Sequence, residues 1–242
     1  DAGFLFGSAG STVGGNLSAT ATTGNIRDNN DGSVTVAGTS SFTTSANNAT
    51  ITLDDTDHSF TGAVTLSTTG STGHATIDNG TTAFNVAASS VGGNLTLTSG
   101  NSITDSGTLT VGGNLVATTD ANNGLINLGT LAVDGTVALT TNGSGNATID
   151  NGTLNLDLAA SDIGGNLTAT SGAAAGITDS GTITVAGNLV ATTDANNGVI
   201  DLDTLAVDGT VALTTNGSGN ATAVNDAGLT FAASTVGGNL AA

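Results

Sequence analysis

The stretch Val111–Asp162, VGGNLVATTDANNGLINLGTLAVDGTVALTTNGSGNATIDNGTLNLDLAASD, decides the fold, because most of it comes back. NLVATTDANNG at Asn114–Gly124 recurs at Asn188–Gly198, and LAVDGTVALTTNGSGNAT at Leu131–Thr148 recurs at Leu205–Thr222. Both copies carry one shift, 188 − 114 = 74 and 205 − 131 = 74. A fixed period is the signature of stacked copies of one supersecondary unit, each covering the apolar side of its neighbour. Within the stretch polarity alternates. Leu115 and Ala117 alternate with Val116 and Thr118, Val137 and Leu139 with Ala138 and Thr140, and Leu154, Leu156 and Leu158 with Asn155 and Asp157. Period two turns one side of a strand inward and the other outward. The runs close on TSGN, TTDANNG, TTNGSGN and DNGT, where Gly and Asn supply the positive φ that corners require.

Working outward, the same GGN opening divides the chain into units at residues 13–90, 91–162 and 163–235, and a fourth opens at Val236. The unit starts are spaced by 91 − 13 = 78, 163 − 91 = 72 and 236 − 163 = 73. Starts at positions 91, 111, 133 and 163 split the second unit into steps of 20, 22 and 30; the third gives 22, 22 and 29, and the first 23, 24 and 31. Gly, Thr, Asn, Ser and Val dominate these steps, and strong helix formers are scarce. Strands, corners and a return to the same motif every 20 to 24 positions describe the coil of a parallel β-helix, an all-β solenoid. The expected body is continuous over 13–242, with residues 1–12 as an N-terminal cap or the end of a preceding coil. Nine coils fit between Val13 and Thr235. In every third one about eight extra residues are expected to form an outward loop or hairpin around NGSGNATIDNGT.

Stacking also predicts columns. Val91, Val111, Val133, Ile163, Val185 and Val207 form one inward ladder, and Leu95, Leu115, Val137, Leu167, Leu189 and Val211 a second. Each such side chain, once buried, contributes about 1.5–3 kcal/mol. Asn16, Asn94, Asn114, Asn166, Asn188 and Asn239 each follow Gly-Gly or Ala-Gly, and read as a corner ladder of amides bonding from coil to coil.

Composition narrows the function. With one Arg, no Lys and 19 acidic residues, the net charge is −18. Nucleic acid needs Lys and Arg on the protein side and is excluded as a partner, and the same charge disfavours docking on anionic lipid. No apolar run approaches the roughly 18 residues that span a bilayer, so membrane insertion is not expected. The absence of Cys excludes disulfides and thiolate metal sites. With no initiator Met, no signal peptide and an ending in mid-motif at Val236–Ala242, the chain reads as a mature product or a segment of something longer. Hydrophobic residues at 37% in strict alternation oppose disorder.

Little in the chain has the pattern of a catalytic centre, and no enzyme activity is expected. His58 and His74 both lie in the diverged first unit without equivalents in the others, and Arg27 is the only cation that could hold an acidic sugar. Calcium is the stronger candidate ligand, since it takes six to eight oxygens from carboxylates, amides and backbone carbonyls. Candidate clusters are Asp28, Asn30 and Asp31; Asp54, Asp55 and Asp57; and the recurring pairs Asp120 with Asn122 and Asp194 with Asn196. None completes an EF-hand loop. Thr118, Thr140, Thr192 and Thr214 form outward rows of the kind an ice-binding face would use, though Thr is also simply a good outward strand residue. Sequons such as Asn146–Thr148 and Asn220–Thr222 arise readily in so Asn- and Thr-rich a repeat.

At VGGNLVATT and ITDSGTLTVGGNL (Ile103–Leu115) the chain resembles the shaft repeats of large bacterial exoproteins, the filamentous-haemagglutinin-like adhesins of two-partner secretion and, more loosely, autotransporter passengers. The resemblance runs from Val13 to the end. It implies a right-handed parallel β-helix, export across an outer membrane to the cell surface, and work as a stalk or fibre in adhesion or biofilm. The grouping into triplets departs from the shaft pattern and leaves room for a lattice- or filament-forming protein. The expectation is thus a structural, extracellular segment that self-associates. The alternative is a carbohydrate- or calcium-binding module, with a cell-surface glycan as partner.

Overall fold

The computed structural model describes residues 3–29 and 32–242. Among them every regular element is a β-strand, gathered into sheets of 14, 13 and 3 strands. The strands pair in parallel and in register, Leu95–Ser99 on Leu115–Thr119 and that on Thr136–Thr141, for example. One column can be followed the length of the molecule. It climbs through Phe4, Ile26, Ile51, Ala75, Leu95, Leu115, Val137 and Leu158, and from Leu156 through Ile177, Ile200, Ala221 and Leu240. Its steps range from 240 − 221 = 19 to 51 − 26 = 25. The chain is a β-solenoid of about 11 coils and about 22 residues per coil. At about 4.8 Å between paired strands, the stack is roughly 50 Å long. Phe4–Leu5 and Ser11–Val13, at the stretch expected to be a cap or the end of a preceding coil, pair with Ile26–Arg27 and Val34–Val36 just as later strands pair.

The bore is mainly aliphatic. Val, Leu, Ile and Ala fill it, and the early coils, which include the longest steps, take up the extra width with Phe6, Phe42 and Phe60 packed edge to face at 6.2 and 5.5 Å between ring centres. Outward residues alternate with these along each strand, as in Leu115–Thr119.

The long third step is where structure and expectation part. It is neither a wider coil nor an outward hairpin. Thr136 pairs with Asp157 and Val137 with Leu158, while Ala147 pairs with Leu167, so the local steps are an ordinary 157 − 136 = 21 and 167 − 147 = 20. The added residues are spent along the wall, as the two short strands Leu156–Leu158 and Ser161–Ile163, both laid over the single long strand Thr136–Thr141. The next long strand, Leu167–Ser171, then lies over Ala147–Asp150 instead. The long-strand motif has changed walls. Leu115 is followed upward by Val137, Leu158 and Asp179, whereas its repeat copy, Leu189, comes later still along the chain (189 − 179 = 10). Leu115–Thr119 therefore belongs to the 14-stranded sheet and its copy Leu189–Thr193 to the 13-stranded sheet.

Each expected column is accordingly split in two. Val91, Val111 and Val133 stack on the 13-stranded sheet, but Ile163, Val185 and Val207 stack on the other. Leu95, Leu115 and Val137 form one column, and Leu167, Leu189 and Val211 another. All twelve are buried. The alternation placed them correctly inside the bore; the repeat period did not place them above one another.

A change of wall leaves backbone groups without a strand above them, and two side chains replace it. Asn151, fully buried, accepts the Val133 N–H at Oδ1 (2.8 Å) and donates Nδ2–H to the Val133 carbonyl (3.0 Å) and the Asn155 carbonyl (2.6 Å). Asn79 does the same for Phe60 and Asn225 for Val207. Ser161 accepts the Leu139 N–H and donates to the Ala159 carbonyl, with Ser89 and Ser234 in the equivalent roles. The primary amide carries the same donor and acceptor pair as a peptide group, so one Asn stands in for the missing strand.

Candidate functional site

The early coils hold a buried pair of titratable groups, His58 and Asp28, with Nε2 at 2.7 Å from Oδ2. The Val34 N–H donates to His58 Nδ1 at 2.9 Å, so Nδ1 is the unprotonated nitrogen and Nε2–H faces the carboxylate. Asp28 also accepts the Asp55 N–H. A triad histidine needs one ring nitrogen turned to a nucleophile while the other holds the carboxylate. Here the second nitrogen is taken by the backbone, and the pair serves as a tie between coils. His74 likewise accepts the Asn94 N–H at Nδ1 (2.8 Å). Beside the pair lies a shallow polar groove lined by Asn25, Arg27, Asp28, Thr50, Thr52 and Asp54.

Of the calcium candidates, Asp28 and Asp54 line that groove together, and Asp55 is tied to Asp28 through its N–H. Asp55 accepts the Asp57 N–H across its own turn. Asn122 and Asn196, both at positive φ, donate Nδ2–H to the carbonyls of Gly100 and Gly172 in the coil below, each at 2.7 Å. The Asp120 and Asp194 turns do not stack, because the first leaves the 14-stranded sheet and the second leaves the 13-stranded one. Asn30 and Asp31 lie outside the described residues. Among the described residues no three acidic or histidine side chains converge on a metal-sized space.

The asparagines of the GGN corners do bond from coil to coil, through Oδ1 to the backbone and not amide to amide. Asn94 accepts the Asn114 N–H, and Asn114 accepts the Thr136 N–H, each at 3.0 Å. Across the wall change the series restarts: Asn146 accepts from Asn166, Asn166 from Asn188, and Asn188 from Thr210. Asn16 accepts from Thr39, and Asn239 donates to Asn220. The six residues thus belong to several short ladders, and the sequence reading missed the members that start them, His74, Asn146 and Asn220. It also missed Asp105 and Asp179, which share the repeat shift (179 − 105 = 74). Each closes a corner by accepting two backbone N–H groups and a threonine hydroxyl from the next coil, Gly129 and Thr130 for Asp105, Asp203 and Thr204 for Asp179. The signal for them was the recurring ITDSG; the signal for Asn79 and Asn151 was IDNG.

Asp78 is the exception among the carboxylates. Burial pushes its pKa up, and the Gly80 N–H at 2.8 Å offsets this only in part, while nearby Asp120 and Asp54 add to the rise and His58 opposes it. A raised folded-state value means the folded chain holds that proton more tightly than the unfolded one. The resulting stability is fully present below the unfolded carboxylate value and is lost as pH rises through the raised one. Asp78→Asn keeps an oxygen for Gly80 and is expected to raise the melting temperature at pH 7, with a gain that closes as the pH approaches about 4. A gain that widens on acidification would contradict this.

Three stretches, residues 4–67, 72–140 and 144–216, match the family model described as repeats of unknown function (DUF5649). Their starts are spaced by 72 − 4 = 68 and 144 − 72 = 72, close to the internal repeat. No curated protein and no solved structure matches the chain.

Proposed function

We propose that this chain, which belongs to the DUF5649 family of repeats, is a structural spacer: a stiff rod that holds what lies at its two ends a set distance apart. One observation carries the reading. The polar side chains that chemistry would call on are committed to joining coils, His58 and Asp28 to each other and to backbone, Asn151 and Ser161 at the wall changes, Asp105 and Asp179 at the corners. The likeness of the GGN repeats to exoprotein shafts supports placing the rod outside a bacterial cell, in a stalk or fibre. Phe4–Leu5 and Leu240–Ala241 each pair on one side only among the described residues, so a further coil, from the same polypeptide or another copy, would hydrogen-bond there.

A spacer must be stiff, and this is measurable. The chain has no Cys, so paired cysteines take spin labels specifically. Thr104, Thr168 and Thr214 lie three, six and eight coils above Ser41 on one sheet. Distances from a label at Ser41 are expected to rise linearly, by about 4.8 Å per coil, with narrow distributions throughout. A plateau or a broad distribution at the longest separation would contradict the spacer.

A further inference from the structure

The two large sheets differ in charge. Strands of the 14-stranded sheet carry Asp78, Asp157, Asp162, Asp179, Asp201 and Asp203. Strands of the 13-stranded sheet carry only Asp105 and Asp150, and both already accept backbone N–H groups, from Gly129 and Thr130 and from Gly152. The outward side of that second sheet is otherwise small and uncharged, from Ser18, Ser41 and Thr65 at one end to Thr168, Val190 and Ala212 at the other. A chain of net charge −18 thus has one wall whose strands carry only two carboxylates, both hydrogen-bonded, along the length of its stack.

We infer that this wall is where a second copy of the chain docks, each copy presenting its carboxylate-poor wall to the other. Approach through the upper coils of the 14-stranded sheet instead brings Asp157, Asp162, Asp201 and Asp203 of the two copies together, with a single Lys or Arg per chain to answer them. Wall-to-wall docking points the acidic sheets away from each other and is a self-complementary two-fold contact. The size fits. Ten successive rows about 4.8 Å apart, each three to five residues wide at about 3.3 Å, cover roughly 600 Å², the lower end of what a specific interface buries per partner. The strands of the wall present no outward aromatic ring for sugar stacking and no cation for a polyanion. The inference rests on the spacer reading and says how such rods would bundle side by side.

The change of wall supplies a matched test. Val116 and Val190 occupy the same place in identical segments and are equally exposed, at 38%, but Val116 is on the 14-stranded sheet and Val190 on the 13-stranded one. Sedimentation equilibrium of the intact chain from about 1 µM to about 1 mM is expected to show a reversible dimer, tighter in about 0.15 M salt than in low salt, because screening relieves the repulsion between acidic sheets. Val190→Asp is expected to weaken the dimer tenfold or more, and Val116→Asp to leave it within about twofold. A chain that stays monomeric, variants that behave alike, or weakening by salt would each overturn the inference. So would capture of a neutral oligosaccharide that Val190→Asp abolishes in a monomeric chain. A linear spin-label ruler on a monomeric chain refutes the docking and leaves the spacer; loss of the ruler refutes the spacer itself.

Discussion

Asn151→Ala is expected to destabilise the chain by about 3–6 kcal/mol. The side chain is fully buried and makes three hydrogen bonds, two of them to the N–H and carbonyl of Val133. Removing it leaves those backbone groups, and the Asn155 carbonyl, without partners in a buried wall, and each such group costs about 1–3 kcal/mol. For a chain of this size that is a fall of roughly 10 °C in melting temperature. Asn166→Ala is the control. Asn166 also accepts one backbone N–H from the next coil, but it is exposed, and water replaces it for about 1 kcal/mol or less. Asn151→Asp sharpens the mechanism. It keeps an acceptor for Val133 N–H but turns an oxygen toward two carbonyls. It should be as damaging as alanine at pH 7 and recover in part in acid, where the protonated carboxyl can donate. If Asn151→Ala and Asn166→Ala melt alike, the amide is not replacing a strand.

How much of this is readable in advance follows from what each signal measures. Alternation reports which side of a strand faces apolar surroundings, and it placed all twelve residues of the expected columns in the bore, though Leu154, which it also turned inward, is only half-buried ahead of its strand. It says nothing about which strand lies above which. That information had to come from the repeat, and the repeat misled, because a shift of 188 − 114 = 74 is three coils and part of a fourth. A period in sequence is not, in this chain, a period in space. The coil length was nevertheless there in the shorter steps of 20, 22, 23 and 24, and asking every step to obey it would have laid the extra residues along the wall. The Asp120 and Asp194 turns are held apart for the same reason: equivalent in sequence, they leave different sheets. Asn151 was hidden by its surroundings. DNG reads as an ordinary turn, and Gly152 does take the positive φ of one (56°), but the amide beside it points inward, and only the neighbouring coil explains why.

Sequence alone assigns the glycines of the GGN corners to turn formation, and a second large effect distinguishes that role from the one the structure assigns. None of Gly14, Gly15, Gly164 or Gly165 has positive φ. What Gly164 lacks room for is a Cβ: one built there would run into the carbonyl oxygen of Gly143 in the coil beneath, a backbone atom that no side-chain rotation can move aside. Its N–H is at the same time held by the Thr141 hydroxyl at 3.0 Å, so the corner cannot simply lift. Gly164→Ala should therefore pry two coils apart, breaking the ladder on both sides of the corner at a cost of about 3 kcal/mol or more. Gly14 occupies the same place in the first GGN, with nothing within 4 Å of the added carbon. Gly14→Ala should stay within about 0.5 kcal/mol of the parent, or gain slightly from a less flexible unfolded chain. Thermal melts of the two variants, with hydrogen exchange read across Asn142–Asn166, separate the explanations. Equal losses would mean that these glycines serve backbone conformation wherever they occur. A large loss at Gly164 alone, with exchange opening in the coils on either side, would mean that they are there because the next coil passes so close, and that the tightness of the stack is itself written as Gly-Gly.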